Sequence, residues 1–253
     1  MVADIQNDIT ARFGKYKSGR CVTFKLLNNK NHGGKQMNEK RTVTAMNLNR
    51  WAGLFALLAG ILYIGIQFFH PADYLSSVNT NGWIVVAALT TAMSLFSLIG
   101  ILGIYFRQVA ETSWLGLVGF IAFSLFWLLS MTFSFIEAFV LPLLTYDAPK
   151  FVEGIVGIFG GTKSEVALGI FPVLAPLAGG LYILGGLLLG IATFRAKVLP
   201  RMAGALFAFS AVVTLAAAII SHPFDRILAI PMGLAFIWLG YALYSEHGRR
   251  IGK

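Results

Sequence analysis

Hydrophobic positions in this chain are gathered into six long uncharged blocks, at 51–69, 83–106, 114–136, 166–194, 202–221 and 227–244, none of which contains Lys, Arg, Asp or Glu. A bilayer core about 30 Å thick is crossed by about 20 residues of helix, which is the scale of these blocks. Only helices and closed barrels satisfy their backbone in lipid, and the blocks lack the strict alternation of barrel strands. The pattern therefore predicts an all-α polytopic bundle of six transmembrane helices, a membrane domain at 46–248.

The polar stretches between the blocks order the rest. Residues 1–45 carry nine Lys or Arg, three acids and Asn- and Gly-rich pieces. They read as a disordered basic tail, or as a segment upstream of a true start at Met37 or Met46. Residues 249–253 form a short second tail. The connection at 141–165 holds an apolar, glycine-rich piece at 151–161, too short to cross and read as interfacial or re-entrant. Pro172 and Pro176 stand four apart in the fourth block, among glycines at 179, 180, 185, 186 and 190. Two readings stay open there, a broken helix lining a substrate path and a tilted helix packed through small residues.

Composition agrees with the pattern. The chain is 57% hydrophobic and 12% charged, about half the charged fraction of a soluble domain. Its mean hydropathy is +0.74 and its pI about 9.8. Of 20 Lys and Arg, 17 fall on one side of the six blocks and only Lys150, Lys163 and Arg226 on the other. The positive-inside rule then places both termini in the cytoplasm of a cell whose inner membrane holds the protein. The basic pI follows from topology and implies no nucleic acid; the expected partner is the lipid bilayer, with any small-molecule substrate or protein partner unspecified.

The sequence also repeats. Arg50-Trp51-Ala52-Gly53 followed by Leu54-Phe55-Ala56 recurs as Arg201-Met202-Ala203-Gly204 and, after one inserted alanine, Leu206-Phe207-Ala208. A constant offset of 152 then pairs His70 with His222, Pro71 with Pro223 and Asp73 with Asp225. Trp114-Leu115-Gly116-Leu117 resembles a third, fainter copy, so the bundle reads as three helical hairpins.

The His-Pro-x-Asp copies place His70, Asp73, His222 and Asp225 on the outer face, with Glu137 toward the same end. These residue types suit a divalent metal, and three ligands plus water would be hydrolytic. The competing reading is helix-end architecture, with Asp225 as an N-cap. Glu137 lies about 34 Å along the helix from Trp114, at or beyond the outer interface. It reads as a snorkelling carboxylate or as a proton carrier. Thr90, Ser94 and Ser97 line one face of the second block and read either as bonds between helices or as a polar path. Trp51, Trp83 and Trp114 open blocks, the placement of an interfacial belt, and Phe120, Phe123, Phe126 and Trp127 read as lipid- or core-facing. No phosphate-binding glycine loop, His-Glu-x-x-His or Gly-x-Ser-x-Gly occurs, and no histidine sits mid-block where a membrane haem would need it. The lone cysteine, Cys21, forms no intrachain disulfide. No cofactor is expected beyond a divalent metal at the outer face.

The Arg50-led opening with Leu62-Tyr63, and the stretch from Gly185 to Phe194 followed by Leu199-Pro200-Arg201 and Gly204, resemble an uncharacterised bacterial family of integral membrane proteins known as a domain of unknown function. The resemblance spans about residues 50–248 and implies a six-helix inner-membrane protein; it carries over no catalytic residues. The expected function is a small-solute or ion permease or an accessory membrane subunit. The alternative is a metal-dependent membrane enzyme with an outer-face His/Asp site.

Overall fold

Apolar blocks of this length must close their hydrogen bonds within themselves, and they do so as helices. The computed structural model describes residues 45–158, 163–218, 220 and 224–251, which belong to one unit. Its helices are α1 Ala45–Phe69, α2 Leu75–Val78, α3 Asn81–Arg107, α4 Val109–Phe139, α5 Leu141–Leu144, α6 Pro149–Gly157, α7 Phe171–Ala196, α8 Arg201–Val213 and α9 Ile230–Ile251. Two 3-10 segments, Thr214–Ala218 and Phe224–Ala229, follow α8 and precede α9. No strand occurs among the described residues, and the chain is all-helical there.

Five stretches are long and apolar enough to cross a membrane: Asn47–Phe69, Asn81–Arg107, Val109–Phe139, Phe171–Ala196 and Arg226–Ser245. The block at 202–221 takes another form. Its α-helix has 13 residues and tightens into 3-10 geometry at Thr214, directly after β-branched Val212 and Val213, which lose side-chain freedom against the preceding turn. The block at 166–194 starts its helix five residues late, because Gly169 takes a left-handed conformation (φ 58°) and Pro172 then sits in the first turn. In α4, Ser113 (φ 54°, ψ −160°) interrupts the helix, so that the long straight part begins at Trp114.

Helices α1, α3, α4, α7, α8 and α9 pack each on the next in chain order, and α9 returns to α1 to close a ring. Lipid tails offer no hydrophobic drive between helices, so close backbone approach has to supply the contact. At the α1–α9 seam, a Cβ on Gly53 would lie 2.7 Å from the Tyr244 nitrogen and 2.8 Å from the Gly240 carbonyl. Gly60 likewise meets the Gly233 carbonyl. Both pairs are seven residues apart and run antiparallel. On the other side of α1, Gly100 of α3 would place a Cβ 2.8 Å from Ala56, and Gly103 meets Ala52.

The middle of the ring is filled by aromatic rings. Phe123 and Trp127 of α4, Phe207 of α8 and Phe236 of α9 are each at most 1% exposed. Phe123 and Phe207 stand 5.2 Å apart edge to face, Phe207 and Phe236 5.3 Å, and Trp127 and Tyr63 5.8 Å. A second apolar cluster, including Val78, Trp83, Leu141, Val152 and Ile155, caps the end where α2, α5 and α6 lie. The 151–161 piece contributes α6 to this cap, a nine-residue helix about 13 Å long.

The seam predicts a contrast between two glycines of one helix. Gly60→Ala should cost on the order of 1–3 kcal/mol in unfolding measured in mild detergent, as overpacking does. Gly65→Ala, where nothing lies within 4 Å of a new Cβ, should cost nothing. At the break in α4, Ser113→Gly should stabilise by about 1 kcal/mol, since Ser113 holds a conformation that suits glycine.

Candidate functional site at the capped end

The first His-Pro-x-Asp copy directly follows the last turn of α1, where helix carbonyls have no partner within the helix. The His70 Nδ1 lies 2.9 Å from the Pro71 carbonyl oxygen. A carbonyl only accepts, so Nδ1 carries the proton and Nε2 is the basic atom of the neutral ring. Trp83 packs edge-on against the imidazole at 6.2 Å and donates from its indole to the Glu137 carbonyl at 3.1 Å.

The organising residue is Arg226, in the 3-10 segment that leads to α9. It donates from Nη1 to the His70 carbonyl at 3.0 Å and from Nη2 to the Pro71 carbonyl at 3.5 Å. The same Nη2 lies 3.9 Å from the Asp73 carboxylate, with the Arg226 side chain 14% exposed. A guanidinium is thus set at the C-terminal end of α1, where partial negative charge favours a cation. Asn79 donates to Thr145 at 2.8 Å, tying the α2 loop to the α5 loop.

The loops after α1 and before α9 therefore meet, joined by Arg226. His222 lies outside the described residues, and so does the Asp225 side chain, although its backbone is part of the 3-10 segment. Among the described residues no group of three or more His, Cys, Asp or Glu could hold a metal ion. Glu137 is half-buried beneath this cluster. At the rim of the cap, Lys150 and Glu165 pair at 2.9 Å, both exposed. The hydrogen bond and charge of Lys150 lower the Glu165 carboxyl and those of Glu165 raise the Lys150 amine. The Glu165 contribution is present above the usual carboxylate range and fades as pH falls through its lowered value, and solvent screens it.

The remaining candidates are spread along the ring. Thr90 donates to the Val86 carbonyl at 2.9 Å; Ser94 donates to the Thr90 carbonyl at 2.9 Å and lies 3.1 Å from Ser130 of α4. Ser97 is fully buried. Of these hydroxyls, that of Ser94 marks the α3–α4 seam. Helix α7 runs unbroken through Pro176, whose missing N–H leaves the Pro172 carbonyl without its helical donor. Pro172 and Pro176 are exposed, as are Gly179 and Gly180, so this face points away from the ring. Trp51 and Trp114 are 60% and 76% exposed, as a belt requires, whereas Trp83 is 3% exposed and belongs to the cap.

Two residues central to the site were hidden in the sequence. Arg226 is one of only three basic residues on the sparse side, and that isolation beside an apolar block was its signal. For Trp83 no signal separated burial from the belt. Searches of protein-family models, curated proteins and solved structures find no match to this chain. No family is therefore shown for this chain.

Replacing Arg226 by Gln should lower the stability of the detergent-solubilised chain by about 1–3 kcal/mol, the range for leaving buried acceptors unpaired, and Arg226→Lys should recover part of it. A Gln variant as stable as wild type would show that the clamp contributes nothing.

Proposed function

We propose that this chain is a six-span bacterial inner-membrane protein that serves as a non-conducting accessory membrane subunit. The observation that carries this reading is the aromatic filling of the ring by Phe123, Trp127, Phe207 and Phe236, each at most 1% exposed. A permease whose path followed the ring axis would have to displace them. The polar and proline positions fit this reading too: Ser94 is engaged with Ser130, and Pro172 and Pro176 face outward.

Six crossings are supported by α8 and its 3-10 continuation, which together supply about 30 Å of rise if collinear. Arg226 at the capped end, bonded to His70, also favours a chain that crosses between Arg201 and residue 224. The excess of Lys and Arg at the opposite end argues for cytoplasmic termini, with residues 1–45 as a basic tail and the three-hairpin repeat as the plan of the bundle. The metal-enzyme reading is less favoured because Arg226 already supplies the positive charge beside Asp73.

Topology is tested with single cysteines at Tyr146, Lys197 and Ile227 in a Cys21→Ser background. An impermeant maleimide applied to intact cells should label positions 146 and 227 and reach 197 only after permeabilisation. Labelling of 227 together with 197, and not with 146, would reduce the crossings to five.

Function is tested by reconstituting the full chain in liposomes. Potassium, proton and small neutral solute fluxes should equal those of protein-free vesicles. A saturable flux that Ser94→Leu abolishes would replace the accessory reading with a permease. About one zinc, manganese or iron per chain, lost in a His70→Ala, His222→Ala double variant, would replace it with the enzyme.

A further inference from the structure

Among the described residues, the Ser97 Oγ and the Trp127 Nε1 are buried side-chain atoms without a hydrogen-bond partner. They belong to helices that face each other. Two contacts register the α3–α4 seam: Ser94 lies 3.1 Å from Ser130, and Tyr105, farther along α3, stacks on Phe120, farther back on α4, at 4.5 Å. The helices are therefore antiparallel, and three residues on from Ser94 meets three residues back from Ser130. Ser97 thus stands level with Trp127, near the middle of both helices. Steps of three and four carry each residue along one helical stripe, Ser94, Ser97 and Ile101 on α3 and Ser130, Trp127 and Phe123 on α4.

Both orphaned atoms depart from what surrounds them. The hydroxyls of Thr90, Thr91, Ser94, Thr132 and Ser134 each donate to the carbonyl four residues back, and that of Ser97 does not. The Trp127 ring is enclosed by Tyr63, Phe126 and Phe236, and its N–H, which can only donate, meets no acceptor. Proton accounting adds a third group. The Ser94 hydrogen goes to the Thr90 carbonyl, so the hydrogen of the Ser94–Ser130 contact comes from Ser130. The Ser130 oxygen, one turn along α4 from Trp127, is left free to accept.

We propose that the α3–α4 seam binds one water molecule near mid-membrane, which accepts from the Trp127 indole and donates to the Ser97 and Ser130 oxygens. Two polar groups that face each other beyond bonding distance are joined by such a water, and about three bonds are usual for a buried one. The site is blind toward the basic end, where fully buried Ile101 and Phe123 form the next level of the same seam. Toward the capped end, Thr90 stands level with Ser134 and Ala87 with Glu137, a polar line by which water enters. A blind site passes nothing across the bilayer, in keeping with a non-conducting chain.

The test is a crystal structure of the full chain at a resolution that shows ordered water, with thermal unfolding in mild detergent beside it. A density peak within about 3.2 Å of the Trp127 Nε1 and of the Ser97 and Ser130 oxygens is expected. Ser97→Ala, a small change that spares the packing, should remove the peak and lower Tm by about 2–4 °C. Deleting a hydroxyl that had no partner would instead leave Tm unchanged or raise it. The wild-type map stands as evidence even should the variant fail to fold. No peak between the helices, a peak bonded to only one of them, or a Tm of Ser97→Ala equal to or above that of wild type would overturn the proposal.

Discussion

Close approach of helix backbones at glycine is the constraint on which this structure depends. In lipid, helices gain nothing from hiding apolar surface from one another, so the seams must be won by contact area and by weak bonds between Cα hydrogens and carbonyls. Gly53 and Gly60 on α1, opposed by Gly240 and Gly233 on α9, bring two backbones together over two turns of helix. With the seams this tight, the space inside the ring is just what Trp127 and the phenylalanines around it fill. The packed centre is thus a result of the glycines at the rim as much as of the aromatic residues themselves.

The capped end follows a different rule, because there the chain leaves the helices and its backbone groups need new partners. Arg226 meets that need for the end of α1, and a guanidinium suits the task because its donors reach two carbonyls and a carboxylate together. Trp83 does the same across the cap by bonding the Glu137 carbonyl. Polar chemistry at this end is first of all chemistry of satisfied helix termini.

Depth in the membrane was legible from sequence, and rotation about each helix axis was not. Uncharged length placed five membrane-capable helices, and the start of the third block at Trp114 coincides with the break at Ser113. Hydropathy carries no information about which side of an apolar helix meets a neighbour when every side is apolar. Trp83 was therefore placed with Trp51 and Trp114 in the belt, although it is buried, and Pro172 and Pro176 gave no sign that they face outward. The shortening of α8 was equally hidden, since its 3-10 turn arises within a stretch as apolar as the rest. The isolation of Arg226 was visible but its partners were not, because they are main-chain carbonyls, which no side-chain pattern records.

The seam between α1 and α9 joins the first described helix to the last, and Arg226 fastens the same two regions at the capped end. A ribosome releases α1 into the membrane long before α9 is made, so the glycine face of α1 spends most of synthesis without its mate. During that interval α3 is the neighbour that holds α1 in place, through Gly100 and Gly103 against Ala56 and Ala52. The ring cannot close before α9, the last described helix, supplies the partner of that glycine face.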